Sequence, residues 1–321
     1  MKKPAFKVYT TCTPSRKKSR RVRNVALFFA AWLLASLTPD FIAGLLLPNL
    51  SEAARTGNTA VLKGWLKVPL ARYDKHDLLM EAIYGNQPDC VKILLADKRT
   101  PPNKKAHGNM TPLQVAILRK NTEIARLLLN DERVDINTRS DITGWTALAL
   151  AIYEGDAEIT QQLLARPEIE VNVQDAPQHL TPIAIAIRTK DSSYLKMLLE
   201  HPEIDANRKD QLGNTPLMCL MSSPGKAAAE MIDLLLKHPG VDINSTNNEG
   251  NTALALAAAK NLPERVKMLL THADIDVNTV NNQGMRPLNL AIQRQATECA
   301  ELLRQAGAQE LPEFRNCSKP Q

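Results

Sequence analysis

Residues 145–152 read WTALALAI, and close variants of this phrase recur along the chain. The other copies are MTPLQVAI at 110–117, LTPIAIAI at 180–187, NTPLMCLM at 214–221, NTALALAA at 251–258 and MRPLNLAI at 285–292. Their second residue is Thr, except for Arg286 in the last copy, and these positions are separated by 35, 35, 34, 37 and 34 residues. A constant period of this length is typical of stacked supersecondary units, which form a solenoid.

Each unit carries the pattern of two short amphipathic helices. Apolar residues recur at spacings of three and four in both halves, and the second half centres on a leucine pair or triplet such as Leu163-Leu164. Thr followed by Pro favours a helix start, because Thr can accept hydrogen bonds from free N–H groups and Pro fits the first turn. Small residues in the first helix would let neighbouring helices approach closely; these are Ala116, Ala151, Ala186, Ala257 and Ala291.

The phrase and its period make the chain similar to the ankyrin repeat family, whose hallmark is T-P-L-H-x-A in a unit of about 33 residues. Each second helix is followed by a turn-forming phrase such as VDIN at 134–137. Two degenerate copies at 50–66 and 78–95 precede the clear ones, which gives about eight repeats between residues 48 and 310. The resemblance implies an all-α solenoid of helix-turn-helix units with short β-turn tips.

One departure from the family concerns contacts between repeats. The His that follows T-P-L in the family is absent from every copy, and the residues in its place are Gln114, Ala149, Ala184, Met218, Ala255 and Asn289. In the family this His links neighbouring repeats by hydrogen bonds. We therefore expect the contacts between repeats of this chain to be more apolar than in the family, so that stability depends more heavily on packing.

The charge of the chain is unevenly distributed. The formal net charge is +6, but residues 1–24 hold nine Lys or Arg and no acid, which leaves 31 basic against 34 acidic residues elsewhere. We expect 1–24 to be a disordered basic tail, 25–47 a hydrophobic segment, 48–310 the repeat domain and 311–321 a C-terminal tail. Because the repeat domain is mildly acidic, nucleic acid is not an expected partner along the solenoid.

The hydrophobic segment has the layout of a signal anchor or a secretory signal. Its apolar run VALFFAAWLLASL, residues 25–37, covers about 20 Å as a helix, which is short of a ~30 Å hydrocarbon core. Adding residues 41–47 reaches the required length but includes Asp40. Three interpretations remain open: a single-pass anchor with a cytoplasmic N-terminus, a cleaved signal that leaves an exported or periplasmic protein, and a helix that caps the first repeat.

The residue pattern does not indicate an enzyme. The chain has no phosphate-binding loop, H-E-x-x-H or G-x-S-x-G motif, and its five Cys show no metal or disulfide spacing. His201, His238 and His272 recur at the ends of second helices, but repeats lie ~10 Å apart, too far for one ion to bridge. We interpret these His as residues that favour the negative end of a helix. No catalytic residue, metal or cofactor is expected.

The residue before each Thr should lie near a tip of the solenoid. Three of these residues are apolar in consecutive repeats, namely Met110, Trp145 and Leu180, and Tyr153 would extend the row inward. An exposed apolar row indicates a contact site, and Trp is enriched at binding hot spots. The alternative is that these side chains fold against neighbouring tips and only cover the turns.

We therefore expect a non-catalytic module that is membrane-tethered or exported and binds another protein through its concave face. Two further interpretations remain open. One is a bacterial effector that acts inside a host cell. The other is a role for residues 1–24 alone, which would bind a membrane surface or nucleic acid through phosphate groups.

Overall fold

The computed structural model describes residues 50–66, 74–106, 109–175, 179–223 and 225–311. Every regular element within these ranges is a helix. Helical residues 50–56 precede helices that we number α1 (Thr59–Leu66), α2 (Lys75–Tyr84), α3 (Pro88–Ala96), α4 (Pro112–Leu118), α5 (Thr122–Leu129), α6 (Ala147–Glu154), α7 (Ala157–Leu164), α8 (Pro182–Thr189), α9 (Ser192–Leu199), α10 (Pro216–Leu220), α11 (Lys226–Lys237), α12 (Ala253–Ala259), α13 (Pro263–Leu270), α14 (Pro287–Gln293) and α15 (Thr297–Gln305).

These helices form successive antiparallel pairs in two layers. Residues 50–56 pair with α1, α2 with α3, and so on to α14 with α15, which gives eight pairs within the described ranges. The first helix of a pair packs against the first helix of the next pair, and second helices pack against second helices. The predicted all-α repeat solenoid is confirmed. The predicted hydrophobic helix at 25–47 lies outside the described residues.

The recurring Thr starts the first helix of a repeat, as the sequence predicts. The hydroxyl oxygen of Thr146 accepts a hydrogen bond from the Ala149 N–H at 3.4 Å, and that of Thr252 accepts one from the Ala255 N–H at 3.2 Å. The same bond recurs at Thr111, Thr181 and Thr215. Each of these Thr side chains is buried between tips. Capping of this kind satisfies one of the N–H groups that a helix N-terminus leaves unpaired.

The core runs as a continuous strip between the two helix layers. The mid-helix alanines of the first layer are inaccessible to solvent; these are Ala116, Ala151, Ala186, Ala257 and Ala291. Leucines of the second layer, such as Leu163 and Leu198, are equally buried. Because first helices meet through Ala, their backbones approach closely and the first layer is tightly packed.

A row of Asn side chains joins consecutive repeats on the hairpin side. The Asn207 amide donates to the Gly240 carbonyl at 2.6 Å, and its oxygen accepts from the Asp242 N–H at 2.8 Å. The same pair of bonds recurs at Asn103, Asn137, Asn172 and Asn244. Contacts between repeats on this side are therefore polar, which the absence of the family His did not predict. The Asn of the VDIN phrase supplies polar contacts between repeats, in addition to forming its own turn.

Replacing one Asn of this row should destabilise the solenoid measurably. We expect Asn207→Ala to lower the free energy of unfolding by about 1–3 kcal/mol, because two hydrogen bonds to backbone groups of the next repeat are lost together. Urea denaturation followed by circular dichroism measures this. Asn130→Ala is the matched control, because Asn130 is exposed at the end of α5 and outside the row. Equal stability of the two variants would show that the row contributes nothing.

Candidate functional site

The tips of the solenoid are tight turns closed by backbone hydrogen bonds. The Ser140 N–H donates to the Trp145 carbonyl at 2.9 Å, and the Asp175 N–H donates to the Leu180 carbonyl at 2.9 Å. The residue before each Thr is thus fixed on the returning leg of the turn, beside the first helix of its repeat. This placement brings tip residues close to the ends of first helices.

Trp145 connects three parts of this surface. Its ring centroid lies 4.9 Å from that of Tyr153 at the end of α6, with an interplanar angle of 59°. Its indole N–H donates to a carboxylate oxygen of Asp175 at 3.2 Å, and the other oxygen accepts from the Leu180 N–H at 2.8 Å. Asp175 is buried, so these bonds are shielded from water. They hold two adjacent tips together and orient the indole.

Around this pair lies an open cavity of about 340 Å³, which we call the tip pocket. It is lined by Ile142, Thr143, Trp145, Tyr153, Asp175, Leu180, Ile185 and Arg188. Two of its walls are strongly exposed, since Tyr153 is 58% and Ile142 68% accessible. Exposed apolar side chains around a concavity with a few polar groups are typical of a binding site. The carboxylate in this lining, Asp175, is engaged by the Trp145 indole N–H and the Leu180 N–H.

The structure brings together three of the four residues that the sequence singled out. Trp145, Tyr153 and Leu180 line the tip pocket, whereas Met110 is half-buried and lies outside its lining. Trp145 itself is half-buried and bonded to the neighbouring tip, so it both covers the turn and forms a wall of the pocket. The role of Ile142 in the pocket was not predicted, although a large apolar residue stands out in a tip otherwise rich in Asp, Asn, Thr and Gly.

Potentially reactive side chains outside the tip pocket have structural roles. Cys90 and Cys299 are buried, as predicted for small core side chains, whereas Cys219 is only partly buried. Burial, with the Asp210 carboxylate nearby, raises the pKa of the Cys219 thiol to about 12, so the thiol is a poor nucleophile. Across the described ranges, His, Cys, Asp and Glu side chains form no group of three or more able to hold a metal ion.

The recurring His residues have a structural role that the sequence did not reveal. The Nδ1 atom of His201 accepts a hydrogen bond from the Glu203 N–H at 3.2 Å. His238 and His272 make the same bond to the residue two positions further on. In each case the ring nitrogen accepts a hydrogen bond from a backbone N–H, which stabilises the turn after the second helix.

Comparison with known proteins agrees with this architecture. The family model "Ankyrin repeats (3 copies)" matches residues 79–175, 150–247 and 221–311, which is more than half of the chain. The protein therefore belongs to the ankyrin-repeat family. Its fold is typically a non-catalytic scaffold for protein–protein interaction.

A solved structure is also similar to this chain. It is the crystal structure of the ankyrin repeat domain of Bcl-3, described as a unique member of the IkappaB protein family, with a TM-score of 0.60 and 23% sequence identity. The match covers 72% of this chain and 98% of that chain. At this identity the likeness shows the fold alone. No curated protein matches this chain in sequence.

Proposed function

We propose that this chain is a non-catalytic scaffold that binds a partner protein at the tip pocket and the adjoining ends of the first helices. The observation that carries the proposal is the pocket itself. Tyr153 and Ile142 are exposed and line the same pocket as the Trp145 ring, whose orientation is fixed by Asp175. A rigid aromatic side chain loses little entropy when a partner covers it, and such residues dominate interface energies.

The pocket offers one apolar anchor point rather than a deep cavity for a small molecule. It is open to solvent along the tips, and its walls come from two consecutive repeats, through Trp145 on one side and Leu180 and Ile185 on the other. Surfaces of repeat proteins bind extended partners across several units. A segment of a partner protein that places one large side chain between the two repeats fits this shape.

The experiment for this proposal is a selection from a random peptide library against the full chain. Selected peptides are then labelled, and their affinities for variants are measured by fluorescence anisotropy. We expect Trp145→Ala to weaken binding at least about 30-fold, which corresponds to ~2 kcal/mol at a hot spot. Leu212→Ala is the matched control, because Leu212 is a 66% exposed tip residue two repeats away from Trp145.

Two outcomes of this selection would contradict the proposal. One is that no peptide is enriched over the unselected library. The other is that the enriched peptides bind Trp145→Ala and Leu212→Ala as tightly as the unaltered chain. Melting temperatures of both variants distinguish loss of the site from loss of the fold.

We also propose that residues 25–47 tether the scaffold to a membrane with residues 1–24 in the cytoplasm, or direct its export. The support is the basic tail followed by the apolar run at 25–37. This segment lies outside the described residues, and within those that are described, no helix has both the length and the apolar character to cross a bilayer.

Cell fractionation with N-terminal mass analysis tests the tether. We expect the intact chain in the membrane fraction, resistant to an alkaline carbonate wash. A soluble product that begins near residues 36–44 would instead identify a cleaved signal. An intact chain in the soluble fraction would contradict both forms of the proposal.

A further inference from the structure

The C-terminal ends of the first helices carry an excess of positive charge. In the last turn of these helices and the one or two residues that follow, the chain places seven exposed basic side chains, which are Arg55, Arg119, Lys120, Arg188, Lys190, Lys260 and Arg294. Outside residues 1–24 the chain holds 31 basic and 34 acidic residues, so this row opposes the charge of the rest of the solenoid. We call this row the basic edge.

Four acids beside the basic edge and the tip pocket are already engaged. Glu154 ends α6, and its carboxylate lies 3.6 Å from the Lys120 ammonium. Asp156 and Asp191 cap second helices, where their carboxylates accept hydrogen bonds from backbone N–H groups. At the tip, the carboxylate of Asp141 is bonded to a lysine of the preceding tip. The basic side chains therefore outnumber the acids along this edge.

The basic edge is continuous with the tip pocket. Arg188 belongs to both, and Tyr153, which lines the pocket, is adjacent in sequence to the end of α6. A partner segment that enters the pocket therefore also passes the positive charges at the ends of the first helices.

In the repeats that precede Leu180, apolar side chains lie beside the basic edge. Leu118 is exposed at the end of α4, between the positions of Tyr84 and Tyr153 in the flanking repeats. The Arg119 guanidinium lies 4.7 Å from the centroid of the Tyr84 ring, which holds this cation in place at the surface. Apolar and cationic groups thus lie side by side on this surface.

We propose that the partner segment is an acidic peptide with one large apolar side chain, which enters the tip pocket while its carboxylates face the basic edge. This inference rests on the proposed function and adds the chemistry of the partner. Complementary charge across an interface raises the association rate and excludes partners of the wrong sign. An apolar side chain in a pocket supplies most of the affinity, and the charges discriminate between the peptides that carry such a side chain.

A nucleic acid would also be attracted by the basic edge, but the pocket favours a peptide. Ile142, Leu180 and Ile185 give the pocket aliphatic walls that suit an aliphatic or aromatic side chain. Single-stranded nucleic acids instead need a cationic groove with successive stacking platforms. The basic edge offers its cations mostly at every second repeat, about 20 Å apart, because α2, α6 and α10 supply none, and the solenoid is otherwise mildly acidic.

The test uses the peptides selected against the full chain and a charge-reversed variant, Arg119→Glu with Lys190→Glu. We expect the selected peptides to carry more Asp and Glu than the unselected library around a Leu, Phe or Trp, and to bind this variant at least about tenfold more weakly. The matched control is Lys92→Glu with Lys196→Glu, which reverses two exposed charges on second helices. Its net charge is identical, so only the position of the reversal differs.

The outcomes separate this inference from the proposed function. Peptides that require Trp145 but are neutral or basic, or that bind both double variants equally, would overturn the acidic partner and leave the binding site intact. A labelled oligo(dT) of 20 nucleotides that binds the full chain more tightly than the selected peptides, and loses affinity in the Arg119 and Lys190 variant, would also overturn it.

Discussion

The variant Ala151→Asp should unfold the middle of the solenoid. Ala151 is inaccessible to solvent at the centre of α6, where first helices of three consecutive repeats pack together. A carboxylate at this position would be buried without a partner, and the wall of packed side chains leaves no route to water. An uncompensated buried charge costs about 3–5 kcal/mol, which is a large part of the 5–15 kcal/mol that stabilises a typical domain.

The control for this prediction is the same substitution a few residues further on. Ala157 is exposed at the first position of α7, where an acidic side chain favours the positive end of the helix. We expect Ala157→Asp to change stability by less than about 0.5 kcal/mol. Thermal melting by circular dichroism measures both variants, and an unchanged melting temperature for Ala151→Asp would refute the assignment of Ala151 to the packed face.

The variant Gly85→Ala should separate the first two repeats. Gly85 ends α2 at φ −80°, a backbone conformation that any residue adopts, so conformational strain is not the reason for a Gly here. A Cβ atom at this position would collide with the carbonyl oxygen of Arg55. Because the obstacle is backbone, no rotamer change relieves it, and helix 50–56 must move away. Overpacking of this kind costs about 1–3 kcal/mol, and more where the backbone resists.

The matched control is Gly64→Ala, which should raise the free energy of unfolding instead of lowering it. Gly64 lies inside α1, and a Cβ atom added there would have no other heavy atom within 4 Å outside its own stretch of helix. Ala is the better helix former, so Gly64→Ala should stabilise the chain by about 0.5–1 kcal/mol. Hydrogen exchange of α1 and α2 amides reports the result locally. Equal protection of these helices in the two variants would contradict the close approach of the first two repeats.

The features that repeat in sequence were the features that could be predicted. Thr146 and Thr252 cap first helices because Thr before an apolar helix can satisfy free N–H groups locally, without help from distant residues. Ala151 and Ala257 are buried because their helical phase relative to the capping Thr is fixed. Both properties depend on residues within one repeat, and the period then carries them along the chain.

Contacts between repeats were less accessible from the sequence. The Asn of VDIN was expected to shape its own turn, whereas Asn207 also bonds the backbone of Gly240 and Asp242 in the next repeat. The partner in such a bond is a backbone group, which every residue has, so the sequence does not identify it. The same limit applies to the tip pocket.

Residues of the tip pocket come from two repeats, and their directions depend on the turns that hold them. The Trp145 indole bonds to the next tip because Asp175 is placed there as an acceptor. The tip that holds Asp175 also has one residue more between its Asp and its Thr than the tip that holds Asp210. Met110 shares the sequence position of Trp145 but does not line the pocket. Spacing alone therefore identified the row of tip residues and not which of them share a cavity.

The central claim is that the tips and first-helix ends around Trp145 bind a partner segment. Hydrogen–deuterium exchange of the full chain, with and without a saturating selected peptide, tests it most directly. We predict that the peptide slows exchange at residues 140–155 and 179–190, while the second helices α7 and α9 exchange at unchanged rates. Protection confined to α7 and α9, or no protection in either layer, would contradict the claim.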